Sequence, residues 1–456
     1  MAAQRPNVGA PAKPLRWPLN RFFLRTIFLA GFVLVGLLWW TNGSGDEALG
    51  SPATALIATG ELSALFGTYV ALAGFVLVSR APFIEPLLGD QAVGLHKRLG
   101  IATILLLIGH VVGTVGGYTL LARTSLAEEL TEILLTYPWM LAAGVALLLF
   151  VAIGVSSIPF IRRRLSYETW SGIHLYAYLA MVLGLGHQLA VGNDFVEHPI
   201  AQAAWVGMYV AVFALVVLYR VLCPIVLFAR HRFRIEEVVV ESSDIVSLYV
   251  TGRRLDRLPV RAGQYFRLRL LAKDEWWRCH PFSISAEPDG RMLRFTVKSL
   301  GDFSDRLQAR KPGNHVMLEG PFGALTTAEM TRKRVALIGG GIGVTPLRAI
   351  FEELAGKVDV KLIYRASSPK DTVFSEELSE LSLQPGAEVA YLVGKRGNPN
   401  MPEDPLSAAM IESIVPDIAK RDVFICGPVA MMDALDRTLR QLGVPRSQIH
   451  AERFAA

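Results

Sequence analysis

The sequence predicts a multidomain membrane protein: an all-α six-helix transmembrane bundle followed by an antiparallel β-barrel domain and an α/β parallel-sheet domain. Three observations predict it. Hydrophobic residues make up 52% of the 456-residue chain and are concentrated before Arg230 in long runs, long enough to cross a hydrocarbon core of about 30 Å. After Arg230 the runs become short and alternating, punctuated by Gly and Pro, as in small antiparallel sheets. From Arg334 strand-length apolar runs alternate with helical patterns, which builds a parallel sheet with crossover helices. The expected boundaries are a tail at 1–21, a bundle at 22–229, a barrel at 230–330 and an α/β domain at 331–456.

The tail carries Pro6, Pro11, Pro14 and Pro18 with Arg5, Lys13 and Arg16, a composition expected to be disordered and cytoplasmic. The run Phe22–Trp40 is too long for a signal-peptide core and reads as an uncleaved first span. Five more follow at Ala55–Ser79, Leu95–Leu121, Leu134–Ile158, Trp170–Val191 and Ala203–Ala229. The tail, the second connection (Arg80, then Lys97 and Arg98) and the fourth (Arg162, Arg163, Arg164) are basic. The first (Asp46, Glu47), third (Glu128, Glu129, Glu132) and fifth (Asp194, Glu197) are acidic. The positive-inside rule then sets both termini in the cytoplasm of a multi-pass protein of the plasma (cytoplasmic) membrane. This orientation also accounts for the net charge of +6, and with no dense basic stripe no nucleic-acid partner is expected. Cys223, Cys279 and Cys426 are dispersed without C-x-x-C spacing, which excludes a disulfide framework and an all-cysteine iron–sulfur site.

Four histidines fall within two of the spans. His96 and His110 are 14 residues apart on the third, and His174 and His187 are 13 apart on the fifth; each pair spans roughly 20 Å of helix. Both spans run outward, so His96 and His174 share the cytoplasmic level and His110 and His187 the outer one. A lone membrane histidine is as readily an interhelical hydrogen bond. Four at two matched depths are better explained as paired axial ligands to two stacked haems. Fourteen residues return to within roughly 40° of one helix face, whereas thirteen miss by roughly 140°. Gly184 and Gly186 before His187 therefore suggest a kink or bulge.

In the α/β region, Gly339–Gly340–Gly341–Ile342–Gly343–Val344–Thr345 follows a predicted strand and opens a helix, where bare backbone and unpaired N–H groups suit a pyrophosphate. The next strand ends at Arg365–Ala366–Ser367 with Lys370 close by, favouring a 2′-phosphate and hence NADPH, with NADH as the alternative. The barrel carries His280–Pro281–Phe282–Ser283, then Lys298–Ser299–Leu300–Gly301–Asp302–Phe303–Ser304, then Gly320–Pro321–Phe322–Gly323. Each of the three, taken separately, also suits ordinary barrel packing.

Together these motifs resemble the ferredoxin–NADP reductase superfamily, and with the six spans and four histidines they resemble its membrane branch, the NADPH oxidase and ferric reductase family. The resemblance covers nearly all of the chain after the tail and extends to Cys426–Gly427–Pro428 and the C-terminal Phe454. It implies two haems b on His96, His174, His110 and His187. It implies FAD against His280, Pro281, Phe282 and Ser283, with Lys298, Gly301 and Ser304 by the diphosphate and Gly320, Phe322 and Gly323 near the nucleotide half. It also implies NADPH on the glycine loop, with Cys426, Gly427 and Pro428 beside the nicotinamide and Phe454 covering the flavin. One departure matters: eukaryotic oxidases of the family resemble each other in a further histidine four residues past the outer ligand, where this chain has Thr114. That weakens the inference to superoxide as product.

The implied activity is transfer of electrons from cytoplasmic NADPH through FAD and two haems to an extracytoplasmic acceptor: ferric chelate, oxygen or a redox protein. With two imidazoles on each iron no position is open, so the acceptor is expected to react at the haem edge. Two other classes stand beside it: a cytochrome b-type quinone reductase acting within the bilayer, and a non-enzymatic transport or sensing bundle with a nucleotide-binding appendage.

Overall fold

The computed structural model describes residues 21–88, 91–273, 275–299, 302–308, 310–397 and 401–453. The expected tail up to residue 20 lies outside the described residues, as do Gly301 and Phe454. The chain divides into two compact units, one ending at Val221 and one starting at Leu222.

The first unit is helical: α1 (Arg21–Trp39), α2 (Pro52–Val78), α3 (Gln91–Ala122), α4 (Leu126–Thr136), α5 (Met140–Ser157), α6 (Tyr167–Val191) and α7 (Pro199–Val217). A π turn at Leu218–Leu222 carries α7 into α8 (Cys223–His231), the first element of the second unit. Among the described residues six helical segments are long and apolar enough to cross a membrane, all of these except α4, with α7 and α8 counted as one. Local chemistry sets several ends. Ser51 and Thr54 form a capping box at the start of α2, followed by Pro52, and the Ser166 hydroxyl caps α6 through the Thr169 N–H.

The acidic third connection is itself the helix α4, opened by a second capping box between Ser125 and Glu128. Trp139 then adopts a left-handed φ of 67°, so the fourth span begins at Met140 and not at Leu134. The bundle core gathers Trp39, Phe75, Met181, Trp205 and Tyr209. α2 and α3 are nearly backbone to backbone. A Cβ on Gly60 would lie 2.8 Å from the Thr114 nitrogen, and one on Gly113 2.8 Å from the Leu56 carbonyl oxygen. Small residues permit such an approach where lipid offers no hydrophobic drive for association.

The second unit holds the strands. β1 (Arg234–Ser242), β2 (Ile245–Thr251) and β5 (Met292–Lys298) form one antiparallel sheet, and β4 (His280–Ser283), β3 (Tyr265–Leu270) and β6 (Val316–Phe322) another. Single bridges join them at two seams, Ile284 to Phe295 and Arg234 to His315. Six strands thus surround one core that includes Phe233, Leu248, Phe266, Phe295 and Leu318: the expected antiparallel barrel, with broken ladders at the seams. α8 packs Leu227 and Phe228 against this core, and α9 (Asp302–Gln308) lies between β5 and β6 in sequence.

The parallel sheet has the order β11-β10-β7-β8-β9. Its strands are β7 (Arg334–Gly340), β8 (Asp359–Ala366), β9 (Ala387–Val393), β10 (Asp422–Gly427) and β11 (Ile449–Arg453), with helices α10 (Val344–Leu354), α11 (Ser375–Leu381), α12 (Ala408–Ile414) and α13 (Val429–Gln441). The chain winds outward from β7 to β9 and then returns to the other side of β7. The point where the winding reverses lies between β7 and β10, the crevice in which open α/β sheets bind ligands.

The candidate electron-transfer site

The histidines meet as the sequence pairs them. The rings of His96 on α3 and His174 on α6 have centroids 5.9 Å apart, and those of His110 and His187 are 6.3 Å apart. A metal–imidazole bond of about 2.0–2.1 Å on each side, with each nitrogen about 1.1 Å from its ring centre, sets two axial rings about 6.2 Å apart. Both levels therefore have the spacing of an imidazole–metal–imidazole stack. Among the described residues no group of three or more His, Cys, Asp or Glu is gathered to hold a metal, so each level offers two protein ligands.

Residues that sequence reasoning missed orient the first pair. The His96 Nδ1 lies 3.1 Å from the Gly74 carbonyl oxygen and the His110 Nδ1 3.1 Å from that of Gly60. A proton on Nδ1, donated to the carbonyl, leaves the Nε2 lone pair for a metal. The available signal was the spacing, because Gly60 and Gly74 are also 14 residues apart, on a helix running the other way. The His174 Nδ1 is buried without a hydrogen-bond partner among the described residues. Trp170 lies 5.0 Å from the His174 ring and carries the Arg162 guanidinium over its own face at 4.7 Å.

The expected bulge at Gly184–Gly186 is absent. α6 runs as unbroken α-helix from Tyr167 to Val191, so helix crossing and side-chain torsion must close the angle left by the 13-residue spacing. Gly186 serves a different purpose: a Cβ there would lie 2.6 Å from the Trp139 ring. The outer pair lines a cavity of about 660 Å³ shared with Thr114, Gly184 and Gln188, where a Gly184 Cβ would touch nothing within 4 Å. The Thr114 hydroxyl donates to the His110 carbonyl at 2.8 Å, so its proton is turned toward its own helix.

In the barrel, β3 brings two of the sequence motifs together. Tyr265 pairs with Ser283 on one side and Phe322 on the other, and the Tyr265 and Phe322 rings lie 5.6 Å apart. His280 and Phe282 are half-buried and Pro281 is exposed. The Ser283 hydroxyl is buried and has no hydrogen-bond partner among the described residues, an orphan polar atom of the kind that a bound group satisfies. Gly320 (φ 144°) and Gly323 (φ 98°) need their glycines, since a Cβ would lie 2.9 Å from the Phe266 ring and 3.0 Å from the Glu452 carboxylate, respectively. Behind the motif, buried Glu319 holds Arg267 at 3.1 Å and Arg269 at 2.8 Å, and burial pushes the neighbouring Cys279 thiol up, keeping it protonated. Ser304 is buried on α9. Lys298 bonds Asp371 at 2.9 Å and pairs with Asp244 at 3.4 Å.

The glycine loop sits at the winding reversal. Gly339 is in register with Cys426, and a Cβ on Gly340 would lie 2.3 Å from the Met431 sulfur. A Cβ on Gly343 would lie 2.6 Å from the Cys426 carbonyl oxygen and one on Gly427 2.6 Å from Met431. Gly341, at φ 55°, would have an unobstructed Cβ. The Thr345 hydroxyl closes the turn on the Ile342 carbonyl at 2.9 Å, and Pro428 directly precedes the first turn of α13. Cys426 itself is fully buried in the sheet core.

Ser367 is exposed. Arg365 is turned onto backbone carbonyls, donating to Leu392 at 3.0 Å, Gly394 at 2.7 Å and Ala366. Burial and the charge of nearby Arg396 lower its pKa. Sequence reasoning missed Arg396, which is close only because β8 and β9 are neighbours. It also missed the clasp between barrel and sheet. Glu377 on α11 accepts from buried Arg294 of β5 at 2.8 and 3.0 Å and pairs with Arg348 of α10 at 2.6 Å. Both arginines also hold the Ser285 carbonyl.

Comparison with known proteins agrees with this division. Residues 63–185 match the ferric reductase like transmembrane component, residues 230–326 an FAD-binding domain and residues 337–437 the oxidoreductase NAD-binding domain. The chain thus joins a ferric reductase like transmembrane component to FAD- and NAD-binding domains. Its architecture is that of the ferric reductase/NADPH oxidase-like proteins. One half of the chain is similar to the glycine betaine monooxygenase reductase subunit of Chromohalobacter salexigens, 28% identical over 244 residues, which are 50% of this chain and 65% of the relative. The flavohemoprotein of Vibrio cholerae is 30% identical over 240 residues, 49% of this chain and 58% of the relative. The chain thus spans about three-fifths of these relatives' length. Among solved structures, the FAD/NAD-binding domain of nitric oxide dioxygenase from V. cholerae is 26% identical at a TM-score of 0.43, covering 49% of this chain and 98% of that one.

Proposed function

We propose that the chain takes electrons from NADPH on the cytoplasmic side and delivers them across the membrane to an extracytoplasmic acceptor, ferric chelate, oxygen or a redox protein. The carrying observation is the pair of facing imidazoles at each of two levels, at 5.9 and 6.3 Å. His96 with His174 would hold an inner haem b and His110 with His187 an outer one, their rings set by the carbonyls of Gly74 and Gly60. His280 to Ser283 would seat the flavin, with Lys298, Gly301 and Ser304 toward its diphosphate and Gly320, Phe322 and Gly323 toward its nucleotide half. When bound, FAD would supply the step from the electron pair of one hydride to single electrons, and the haems would relay these.

The chain's own contribution is placement. The glycines at 339–341 and 343 leave bare backbone at the helix start for a pyrophosphate, and Thr345 keeps that turn closed. Gly427 and Pro428 would form the facing wall, with Cys426 buried behind it at the nicotinamide end, and the family resemblance would set Phe454 over the flavin face. Arg365 and Arg396 concentrate positive charge at the strand ends, which supports a 2′-phosphate and thus NADPH over NADH; Ser367 adds a donor there. Thr114, with its proton turned away from the cavity, supports an acceptor other than oxygen.

The test is anaerobic reduction of the purified, haem-loaded chain by NADPH with FAD present. Reduction of both haems is expected. His110→Leu should halve the haem absorbance and abolish reduction of an impermeant external acceptor, while NADPH oxidation with a soluble dye persists. Haems that stay oxidised, or full haem content in that variant, would overturn the reading.

A further inference from the structure

The barrel presents an apolar pair that neither the flavin motif nor the nucleotide loop uses. Trp276 and Trp277, in the β3–β4 loop, are 57% and 50% exposed, their rings 6.0 Å apart. Isolated apolar residues on a surface need no explanation, but two adjacent exposed indoles are a large apolar area. The loop is braced from beneath. Glu275, directly before them, is buried and paired with Arg306 at 3.0 Å and with Arg310, and the Arg278 N–H donates to the Glu275 carbonyl at 3.0 Å.

The loop lies at the α8 end of the barrel. Leu271, where the loop leaves β3, donates its N–H to the His315 carbonyl at 3.2 Å, and Phe228 of α8 packs edge-on against the His315 ring at 6.0 Å. α8 is the end of the sixth apolar segment, and its Ile225 and Val226 are exposed as well. Around its last turn Arg230, Arg232, Arg253, Arg254 and, in the loop, Lys273 are exposed, and the His231 Nδ1 lies 2.9 Å from the Arg253 carbonyl oxygen. In sequence the loop also carries Asp274 beside Lys273, and its Glu275 is buried and paired.

We propose that this end of the barrel rests on the bilayer. The Trp276 and Trp277 indoles would sit among the headgroups of the leaflet that α8 leaves, and the surrounding Arg and Lys side chains would face anionic phosphates. Indoles favour that depth because one edge is apolar and the N–H needs a wet partner. Basic side chains near the surface are drawn to anionic lipid over about a Debye length. The proposal is independent of the acceptor and of the haem assignment.

The full chain in vesicles of mixed phosphatidylcholine and phosphatidylglycerol provides the test. Subtracting the fluorescence of Trp276→Phe/Trp277→Phe from that of the native chain isolates the two indoles from the other tryptophans. The difference emission should fall by half or more when the lipids carry bromine at the headgroup end of the acyl chains. A smaller effect overturns the proposal, whether the indoles answer to aqueous iodide, as free surface, or to neither quencher, as indoles covered by protein. In phosphatidylcholine alone the quenching should weaken; equal quenching there overturns the electrostatic part.

Discussion

Ser283 illustrates how a residue can work against the free protein and for the holoprotein. Its buried hydroxyl lacks a partner among the described residues, which costs about 1–3 kcal/mol of desolvation until something bonds it. Ser283→Ala should therefore leave the FAD-free chain at least as stable while weakening FAD binding about tenfold, roughly 1.4 kcal/mol. Titration of the apo chain with FAD reads one effect and thermal unfolding the other; unchanged FAD affinity would show that the hydroxyl does not meet the cofactor. Glu377 has the opposite logic. Burial pushes its carboxyl up, but the hydrogen bonds and charges of Arg294 and Arg348 outweigh this and hold it below the ordinary value. A depressed folded pKa stabilises above the unfolded value, about 4.3, and that stability is lost as pH falls through the folded one. Glu377→Gln leaves buried Arg294 without its carboxylate, while Arg348 keeps Glu352, and should cost on the order of 2 kcal/mol, below the range for fully buried pairs because Glu377 is partly exposed. Heat-induced FAD release should occur at lower temperature in the variant at pH 7, and the gap should begin to narrow only below about pH 4.3 and close below the lowered pKa of Glu377. A gap independent of pH would mean that packing, not charge, joins the two domains.

At the scale of elements, the close approach of α2 and α3 decides whether the histidines are aimed. A side chain on Gly113 would meet the Leu56 carbonyl oxygen at 2.8 Å and the Gly60 Cα at 2.9 Å, both backbone atoms that cannot swing aside. Gly113→Val should force the helices apart, at about 1–3 kcal/mol for overpacking, and draw the Gly60 carbonyl away from His110. The expected result is selective loss of the outer haem, seen as half the haem absorbance with NADPH-to-dye activity intact; full haem content would show that the carbonyl is dispensable. Much of this level was legible in the sequence, because long apolar runs and a 14-residue spacing leave few alternatives. The carbonyl partners were not, because backbone acceptors have no residue signature. Pro281 breaks the four-residue strand pattern of β4, and register shifts at Ile235/Glu237 and Val240/Ser242 blur the alternation of β1. α4 was legible through Ser125 and Glu128, but its charge drew attention to orientation instead.

For the whole molecule, the order of parts along the chain was legible because each part has its own period: helical over the first half, alternating in the barrel, mixed in the parallel sheet. What the sequence could not supply were meetings between distant segments, such as Glu377 with Arg294 or Arg396 with Arg365. Direction is a property of this scale too. Basic connections at Arg80 and Arg162–Arg164 and acidic ones at Glu128 and Glu197 favour a cytoplasmic nucleotide side, so outward transfer carries negative charge across the bilayer. Each electron then interacts with the membrane potential by about 2.3 kcal/mol per 100 mV. Take vesicles in which the nucleotide domains face out and an impermeant acceptor is sealed inside. NADPH should reduce that acceptor at a rate that falls as the lumen becomes negative, and valinomycin with potassium on both sides should restore the initial rate. Reduction indifferent to valinomycin would mean that no net charge crosses. If the haems were instead reoxidised by added quinone while the sealed acceptor stayed oxidised, the electrons would end within the bilayer, and the quinone-reductase reading would replace the transmembrane one.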